Sequence, residues 1–371
     1  FLLFLKALSS PFYNIHNTHL ILSDLLFYVE CVLMQMENFF QTMNDGTEIA
    51  VNRWKPDNDE DIKAVIQLSH GMLEHSLRYD RLGSILAEQG YVLNAHDHRG
   101  HGRTAQNAEQ KGVGMFGKLA NKDGFNKVVS DLDEVILKLK SDFPGKKIII
   151  LSHSFGSFVA QSYIENYGEK VNGCILCGST GPGTKRLAFG KFAIGFVKLF
   201  RGGNFRSKAI DKSFFKDCLK SVPNAQFPMD WVCKNPDTLM MYQNDSWCGG
   251  IPTLSFFGDI IYGLRNIHKS SNMKKIPQEL PIFMIAGTED PVGNYGESLK
   301  LLKNIYNQNG IKTVDLKLYD DCRHELFNEK NSDEVINDLI DLGVEFDKDS
   351  EGNINFTLEA AHSYRRILHA G

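Results

Sequence analysis

The fold of this chain is indicated by one stretch, Lys147-Ile148-Ile149-Ile150-Leu151-Ser152-His153-Ser154-Phe155-Gly156. Its first five residues have the continuous apolar character of a buried strand, and the apolar run that follows at 157–164 predicts a helix. A strand that turns sharply into a helix forces the central residue into a strained backbone conformation, and the turn closes only if the residues two positions away are small. Gly156 meets this requirement fully and Ser152 nearly so. We therefore expect Ser154 to project its hydroxyl from the carboxyl edge of a sheet, in front of a helix N-terminus.

The partners that such a serine needs can be found downstream. A serine is a poor nucleophile until an imidazole takes its proton, and a carboxylate must orient that imidazole. In folds with this turn the order along the chain is serine, acid, histidine. The strand-like run 281–286 leads into a turn with two acids, and we assign Asp290 rather than Glu289 because the proline after it holds it extended at the strand end. The run 314–319 leads into a loop that carries His324, which we assign as the base.

Two backbone N–H groups are the predicted oxyanion hole. An acyl-transfer site needs two preorganised donors aimed at the oxygen of the tetrahedral intermediate. The residue directly after the nucleophile, Phe155, supplies one. The strand-like run 64–69 leads into His70-Gly71-Met72, where glycine lets the backbone approach a substrate, so we expect the second donor to be the amide of Met72.

With these motifs in place, the chain resembles α/β-hydrolases of the monoacylglycerol lipase and lysophospholipase family over about residues 36–339. The resemblance implies an α/β-hydrolase fold with a helical cap inserted after the sixth strand, and a serine esterase that cleaves a fatty-acyl monoester through an acyl-enzyme, without metal or organic cofactor. The family usually has glycine where this chain has Ser152, from which we expect modest strain or, at worst, lost activity. The stretches that carry the resemblance are His70-Gly71-Met72-Leu73-Glu74-His75-Ser76, Asp97-His98-Arg99-Gly100-His101-Gly102, the turn at Ser154, Asp290-Pro291-Val292, Arg323-His324-Glu325, and a cap stretch from Asp230-Trp231-Val232 to Trp247-Cys248-Gly249.

Strand-like and helix-like patterns alternate along most of the chain, which predicts a mostly parallel sheet with helices on both faces. A hairpin at 39–42 and 48–54 is predicted around Asn44-Asp45-Gly46. Helices are predicted at 78–89 and 125–140. The later strands are predicted at 64–69, 91–95, 147–152, 173–178, 282–287 and 314–319.

The alternation stops between about residues 181 and 275, where we place the cap. Five apolar residues there have near-helical spacing: Phe189, Phe192, Phe196, Leu199 and Phe200. One interpretation is that they form the core of the cap. The other is that part of this apolar face roofs the active site and receives an acyl chain, as lids in the resembled family do.

Five segments describe the whole chain. They are an N-terminal extension (1–35), the first part of the hydrolase core (36–180), the cap (181–275), the second part of the core (276–340) and a tail (341–371). The extension is interpreted as translated upstream sequence, with a membrane-surface anchor as the alternative. The tail, from about residue 342, resembles a fragment of L-aspartate oxidase, an FAD enzyme. It has no dinucleotide-binding glycine loop, so we do not expect it to bind flavin.

Composition restricts the class of partner and compartment. The 371 residues carry a formal net charge of -4 without a basic stripe, which argues against nucleic acid as a partner. Seven scattered cysteines indicate a reducing compartment, and the pair Cys174 and Cys177 is expected to be buried in a strand. We expect a cytoplasmic protein with a small lipid ester as substrate and no obligate protein partner. Transient contact of the cap with a membrane surface is left open.

Three alternatives to a serine esterase are weighed. The cluster His96, His98 and His101 suggests a metal-dependent hydrolase, although no second acid or further cluster completes a two-metal site. A non-catalytic relative acting as a binding module would have lost one of the three catalytic side chains, and none is missing. An acyltransferase would use the same three residues, because water and an alcohol compete for the same acyl-enzyme.

Overall fold

The computed structural model describes residues 35–222 and 224–345, and all structural statements concern these residues. Eight strands form one sheet in the order β1-β2-β4-β3-β5-β6-β7-β8. The first two pair antiparallel, β2 pairs antiparallel with β4, and the remaining neighbours are parallel. The strands are β1 (Gln35–Thr42), β2 (Glu48–Lys55), β3 (Ala64–Ser69), β4 (Tyr91–His96), β5 (Lys147–His153), β6 (Gly173–Cys177), β7 (Ile282–Gly287) and β8 (Val314–Tyr319).

Helices cover both faces of this sheet, as the alternating pattern predicts. Because side chains alternate along a strand, Ile148 and Ile150 of β5 join the hydrophobic cluster on one face, and Ile149 and Leu151 join the cluster on the other. The first cluster is completed by the helices at 124–142, 155–167, 254–267 and 297–308, and the second by the helices at 80–88 and 332–345. The helices between β3 and β6 and those after β7 are α1 (Asp80–Glu88), α2 (Gly102–Gln110), α3 (Gly124–Asp142), α4 (Phe155–Tyr167), α10 (Glu297–Gln308) and α11 (Ser332–Glu345).

The chain between β6 and β7 is helical, so the predicted cap after the sixth strand is confirmed as an insertion. Its helices are α5 (Thr184–Arg201), α6 (Lys208–Phe215), α7 (Pro236–Asn244), α8 (Leu254–Ile267) and α9 (Ser270–Met273). Helix α8 packs on α3 and α4 as well as on α5, and it therefore anchors the insertion to the core. The insertion begins after the carboxyl end of β6. It therefore starts at the edge of the sheet where the carboxyl ends of the parallel strands lie.

Helix α5 turns an apolar face to solvent, which contradicts one sequence interpretation. Its opposite face is buried: Ile194 packs with residues of α8. The exposed side chains follow the i, i+4, i+7, i+8 spacing of one helix face. Their exposed fractions are 73% for Phe192, 58% for Phe196, 78% for Leu199 and 69% for Phe200. The interpretation of these four residues as cap core is wrong, since the helix buries its other side.

The remaining predictions on the fold concern the two ends of the chain. Residues 1–34 and 346–371, and the side chain of Phe189, lie outside the described residues, and so do the predictions that fall on them. Helix α11 ends at Glu345, so it continues past residue 341, where the sequence placed the start of the tail. Within the described part of the chain, we find no helix with the length and apolar character needed to cross a bilayer.

Candidate active site

Ser154 lies in the strained turn between β5 and α4. Its backbone angles are φ 51° and ψ −117°, a combination that residues with side chains rarely adopt. Glycine is required two positions later, because a Cβ on Gly156 would lie 2.0 Å from the carbonyl oxygen of Ser69 in β3. Ser154 is partly exposed, while His153 and Phe155 on either side of it are buried. The turn therefore presents the serine at the carboxyl edge of the sheet, with the first turn of α4 behind it.

The serine at position 152 is accommodated without an unsatisfied polar group. The Ser152 hydroxyl donates a hydrogen bond of 2.7 Å to the carbonyl oxygen of Ile175 in the neighbouring strand β6. Ser152 is fully buried, and its own backbone stays in β5. The departure from the glycine of the resembled family thus adds one internal hydrogen bond.

His324 and Asp290 come together at the ends of two adjacent strands. Asp290 follows β7, His324 follows β8, and the Nδ1 of His324 lies 3.0 Å from Oδ2 of Asp290. Both side chains are buried. The amide of Val292 donates a hydrogen bond of 2.9 Å to the other oxygen of this carboxylate, Oδ1, which fixes the orientation of the Asp290 side chain. Glu289, the alternative acid, instead forms an ion pair of 2.7 Å with Lys234.

The imidazole of His324 lies beside the residues that flank the serine. The Ser154 amide donates to the carbonyl oxygen of Cys177 at 3.0 Å, and the next residue, Gly178, touches the imidazole closely enough that a Cβ there would be 2.9 Å from Cε1. The ring centroids of His153 and His324 are 4.8 Å apart. The Nε2 of His324 is buried and makes no hydrogen bond to the protein residues described. This nitrogen is therefore available to bond with a further group.

The two amides predicted to bind an oxyanion are not used by the fold. Among the residues that the structure describes, no acceptor forms a hydrogen bond with the backbone N–H of Met72 or of Phe155. Phe155 begins helix α4, so its N–H has no carbonyl partner within the helix and points out of the N-terminus, along the axis, at the positive end of the dipole. The loop after Met72 is held in place because the carbonyl oxygen of Leu73 accepts hydrogen bonds from the Gly249 amide at 2.8 Å and the Tyr242 hydroxyl at 3.1 Å.

A buried network of charges connects these loops, and sequence reasoning missed it. Oε1 of Glu74 accepts hydrogen bonds from the Gly71 amide (2.5 Å), the Tyr79 hydroxyl (2.9 Å) and Nδ1 of His153 (3.1 Å). Arg78 bridges Glu74 to Glu325, the residue after His324. The i, i+4 spacing of Glu74 and Arg78 was the available signal. That spacing does not reveal the distant partners, His153 and Glu325.

Burial and charge set the protonation of this network. Burial opposes the charge on Glu74, but the hydrogen bond from His153 and the charge of Arg78 outweigh it and hold the pKa of the carboxyl well below its usual range. Burial likewise opposes the charge on His153, but Glu74 outweighs it and raises the pKa of the imidazole above its ordinary value. Each group therefore favours the charged form of the other.

The histidines of the Asp97 loop form a buried cluster of rings beneath the site, and in the described part of the chain they are not among the side chains whose ligand atoms converge. Burial lowers the pKa of His96 and of His101 to about 3, and that of His98 falls well below its usual value for the same reason. Nδ1 of His101 bonds to the carbonyl oxygen of Arg99 at 2.9 Å, and the ring stacks on Phe155 with centroids 6.1 Å apart. These neutral rings pack the floor under the serine turn.

Three other side chains bring potential metal ligands together. In the described residues, the group His75, Asp245 and Cys248 has ligand atoms within 4.8 Å of one another. Nε2 of His75 is already hydrogen-bonded to Asp245 at 2.7 Å, and Trp247 packs edge-on against the same ring. These side chains join the loop of Met72 to the helical insertion through a polar contact.

The chain is similar to lipases and esterases in both sequence and structure. Monoacylglycerol lipase of Mycolicibacterium smegmatis is 24% identical over 296 residues, which are 79% of this chain and 92% of that protein. Monoglyceride lipase of Homo sapiens is 32% identical over 116 residues, 31% of this chain and 34% of that protein. A carboxyl esterase from Bacillus coagulans, solved in complex with glycerol, has a TM-score of 0.74 at 26% identity and covers 84% of this chain and 97% of that chain.

The sequence profile of one family covers most of the chain. The family is Hydrolase_4, described as serine aminopeptidase S33, and the match runs over residues 60–331. This range begins before β3 and ends after the loop of His324, so it contains the serine turn, the helical insertion and the His324–Asp290 pair. The chain therefore belongs to the Hydrolase_4 family of α/β-hydrolases.

Proposed function

We propose that this protein is a serine hydrolase that cleaves the carboxylic ester of a fatty-acyl monoester, a monoacylglycerol or a lysophospholipid, through an acyl-enzyme. The observation that carries the proposal is the strained Ser154 turn beside an imidazole that is oriented by a buried carboxylate at 3.0 Å. A neutral imidazole so oriented is what a serine hydroxyl needs to become a nucleophile.

In the proposed first half-reaction, the Ser154 Oγ attacks the ester carbonyl carbon while Nε2 of His324 accepts the hydroxyl proton. Asp290 keeps the other ring nitrogen protonated and stabilises the imidazolium. The amides of Met72 and Phe155 hydrogen-bond the oxygen that becomes negative in the tetrahedral intermediate. His324 then gives its proton to the leaving alcohol oxygen, the C–O bond breaks, and the acyl group stays on Ser154.

The second half-reaction repeats these roles with water. His324 removes a proton from the water as its oxygen attacks the acyl carbon, and the same two amides stabilise the new oxyanion. Collapse of this intermediate returns the proton to Ser154 and releases the fatty acid. An alcohol that replaces water at this step would make the protein an acyltransferase.

The substrate class is supported by the relatives and by the insertion. Proteins with 24% and 32% identity bear the names monoacylglycerol lipase and monoglyceride lipase, and a relative from Haemophilus influenzae with 29% identity over 115 residues is named a probable lysophospholipase. We propose that residues 181–275 act as the cap over the acyl chain, between core segments 36–180 and 276–340. The exposed apolar face of α5 would rest on a lipid surface from which the substrate enters.

The direct test is the activity of Ser154→Ala compared with the wild type. We expect hydrolysis of a chromogenic short-chain ester to fall by several orders of magnitude, because the nucleophile is gone, while Tm changes little. Monoolein and a lysophosphatidylcholine should be turned over with a higher kcat/KM than the short ester. The proposal is contradicted if Ser154→Ala keeps its activity, or if only the short ester is a substrate.

Two controls separate the alternatives. Addition of EDTA should leave the wild-type rate unchanged, whereas inhibition by EDTA together with activity in Ser154→Ala would favour a metal-dependent hydrolase. Addition of glycerol during turnover of a fatty-acyl ester should yield mostly free fatty acid. A predominant transfer of the acyl group to glycerol would identify an acyltransferase.

A further inference from the structure

The network around Glu74 reaches three of the four loops of the proposed site. Through the Gly71 amide it holds the loop that carries Met72, and through His153 it contacts the turn of Ser154. Through Arg78, it reaches Glu325, whose side chain accepts two hydrogen bonds of 2.5 Å and 2.7 Å from the guanidinium. A single carboxylate thus joins segments that are more than 70 residues apart in sequence.

The two ring nitrogens of His153 both face acceptors. Nδ1 lies 3.1 Å from Oε1 of Glu74, and Nε2 lies 3.3 Å from the carbonyl oxygen of His324. A neutral imidazole has only one N–H and could satisfy only one of these contacts as a donor. Since an imidazolium has two, this geometry fits the charged form of His153.

The charges of the network balance only if His153 is protonated. Glu74 and Glu325 contribute two negative charges, and Arg78 contributes one positive charge. The fourth member, His153, brings the sum to zero, and a buried group of charges is tolerated only when it is paired in this way. The other polar groups next to the ring are His324 itself and the Tyr79 hydroxyl that is bonded to Glu74. Burial raises the pKa of this hydroxyl and of the nearby Cys177 thiol, so both groups stay neutral.

We propose that Glu74 and His153 are positioning residues of the proposed serine hydrolase: the Glu74 carboxylate keeps His153 as a buried imidazolium, whose Nε2–H holds the backbone of His324 in place. The inference rests on the proposed function. The ring of this cation lies 4.8 Å from the ring of His324, so the two imidazoles are also in direct contact.

Two substitutions of one residue separate positioning from general stability. His153→Gln retains an amide donor near the position of Nε2, and His153→Asn retains one near Nδ1 but loses the hydrogen bond to the His324 carbonyl. We expect kcat to fall about tenfold in His153→Asn and no more than about threefold in His153→Gln, with KM nearly unchanged in both. Equal kcat values in the two variants would overturn the proposal.

The charge is tested with Glu74→Gln, which keeps acceptors for Gly71 and Tyr79 but not the negative charge. His153 should then lose its extra proton, because no carboxylate stabilises the cation, so only one of its ring nitrogens should carry a proton at pH 7.5 and kcat should fall about tenfold with KM nearly unchanged. The matched control is Asp131→Asn, which also removes a buried carboxylate paired with an arginine, Arg99. It should lower Tm while His153 keeps both ring protons, and a doubly protonated His153 in Glu74→Gln contradicts the proposal.

The wild type provides a measurement that does not depend on the folding of a variant. In protein labelled with ¹⁵N-histidine, both ring nitrogens of His153 should carry protons at pH 7.5, where an exposed histidine is mostly neutral. A neutral His153 at that pH would refute the charge assignment. If the wild type hydrolyses no ester and Ser154 is not labelled by a fluorophosphonate, the proposed function fails instead, and the NMR result still decides the charge of His153.

Discussion

At the residue scale, the geometry of the serine turn depends on two small residues, Ser152 and Gly156. The requirement for a small residue at 156 follows from turn geometry alone, and the 2.0 Å approach of a hypothetical Cβ to Ser69 gives its physical reason. The effect of Ser152 could not be predicted, because its acceptor, the Ile175 carbonyl, lies on β6. The sequence does not specify that β6 is the neighbour of β5. Glu74 was missed because its neighbours Arg78 and Tyr79 do not reveal the distant members of the network, His153 and, through Arg78, Glu325.

The two small residues of the turn should respond differently to substitution. Gly156→Ala places a methyl group against the backbone of β3, so we expect loss of activity and destabilisation of about 3 kcal/mol or more. Ser152→Gly removes one internal hydrogen bond, so we expect a loss of about 1 kcal/mol and activity within about twofold of the wild type. Denaturant unfolding and steady-state assays check both. A large loss of activity in Ser152→Gly would mean that this hydroxyl has a role beyond the fold.

At the element scale, the six later strands were predicted to within one residue at each end, because buried parallel strands read as short apolar runs. The interpretation of the exposed α5 residues as cap core was wrong. A helix with apolar residues on more than one side does not reveal which side meets the core, and here Ile194 is buried while Phe196 is exposed. Only the packing of α8 against α5 decides this.

The exposed face of α5 should bind lipid surfaces. We expect the double variant Phe196→Ser with Leu199→Ser to bind anionic phospholipid vesicles about tenfold more weakly in co-sedimentation, because two large apolar side chains no longer enter the interface. Hydrolysis of a soluble short ester should be unchanged. Leu137→Ser, on the exposed side of α3, is the matched control and should bind like the wild type. Wild-type vesicle binding by the double variant would contradict this role for α5.

At the scale of the whole molecule, the sheet explains how residues so distant in sequence form one site. The serine turn follows β5, the acid follows β7, and the histidine loop follows β8, all in the parallel part of the sheet. Carboxyl ends of parallel strands meet at one edge, which is why the order serine, acid, histidine could be assigned from the sequence. The antiparallel pairing of β2 with β4 and the charge network below the site depend on the complete packing and were not predictable.

The central claim is that one serine of this chain becomes acylated. The most direct measurement is peptide mass spectrometry after brief incubation with a fluorophosphonate, which mimics the acyl carbon and traps the nucleophile. We expect a single stoichiometric adduct on Ser154. It should be absent in Ser154→Ala, and its formation should be slowed about a hundredfold or more in His324→Ala, because the hydroxyl then has no base. An adduct on another residue, or labelling of Ser154 at an undiminished rate without His324, would contradict it.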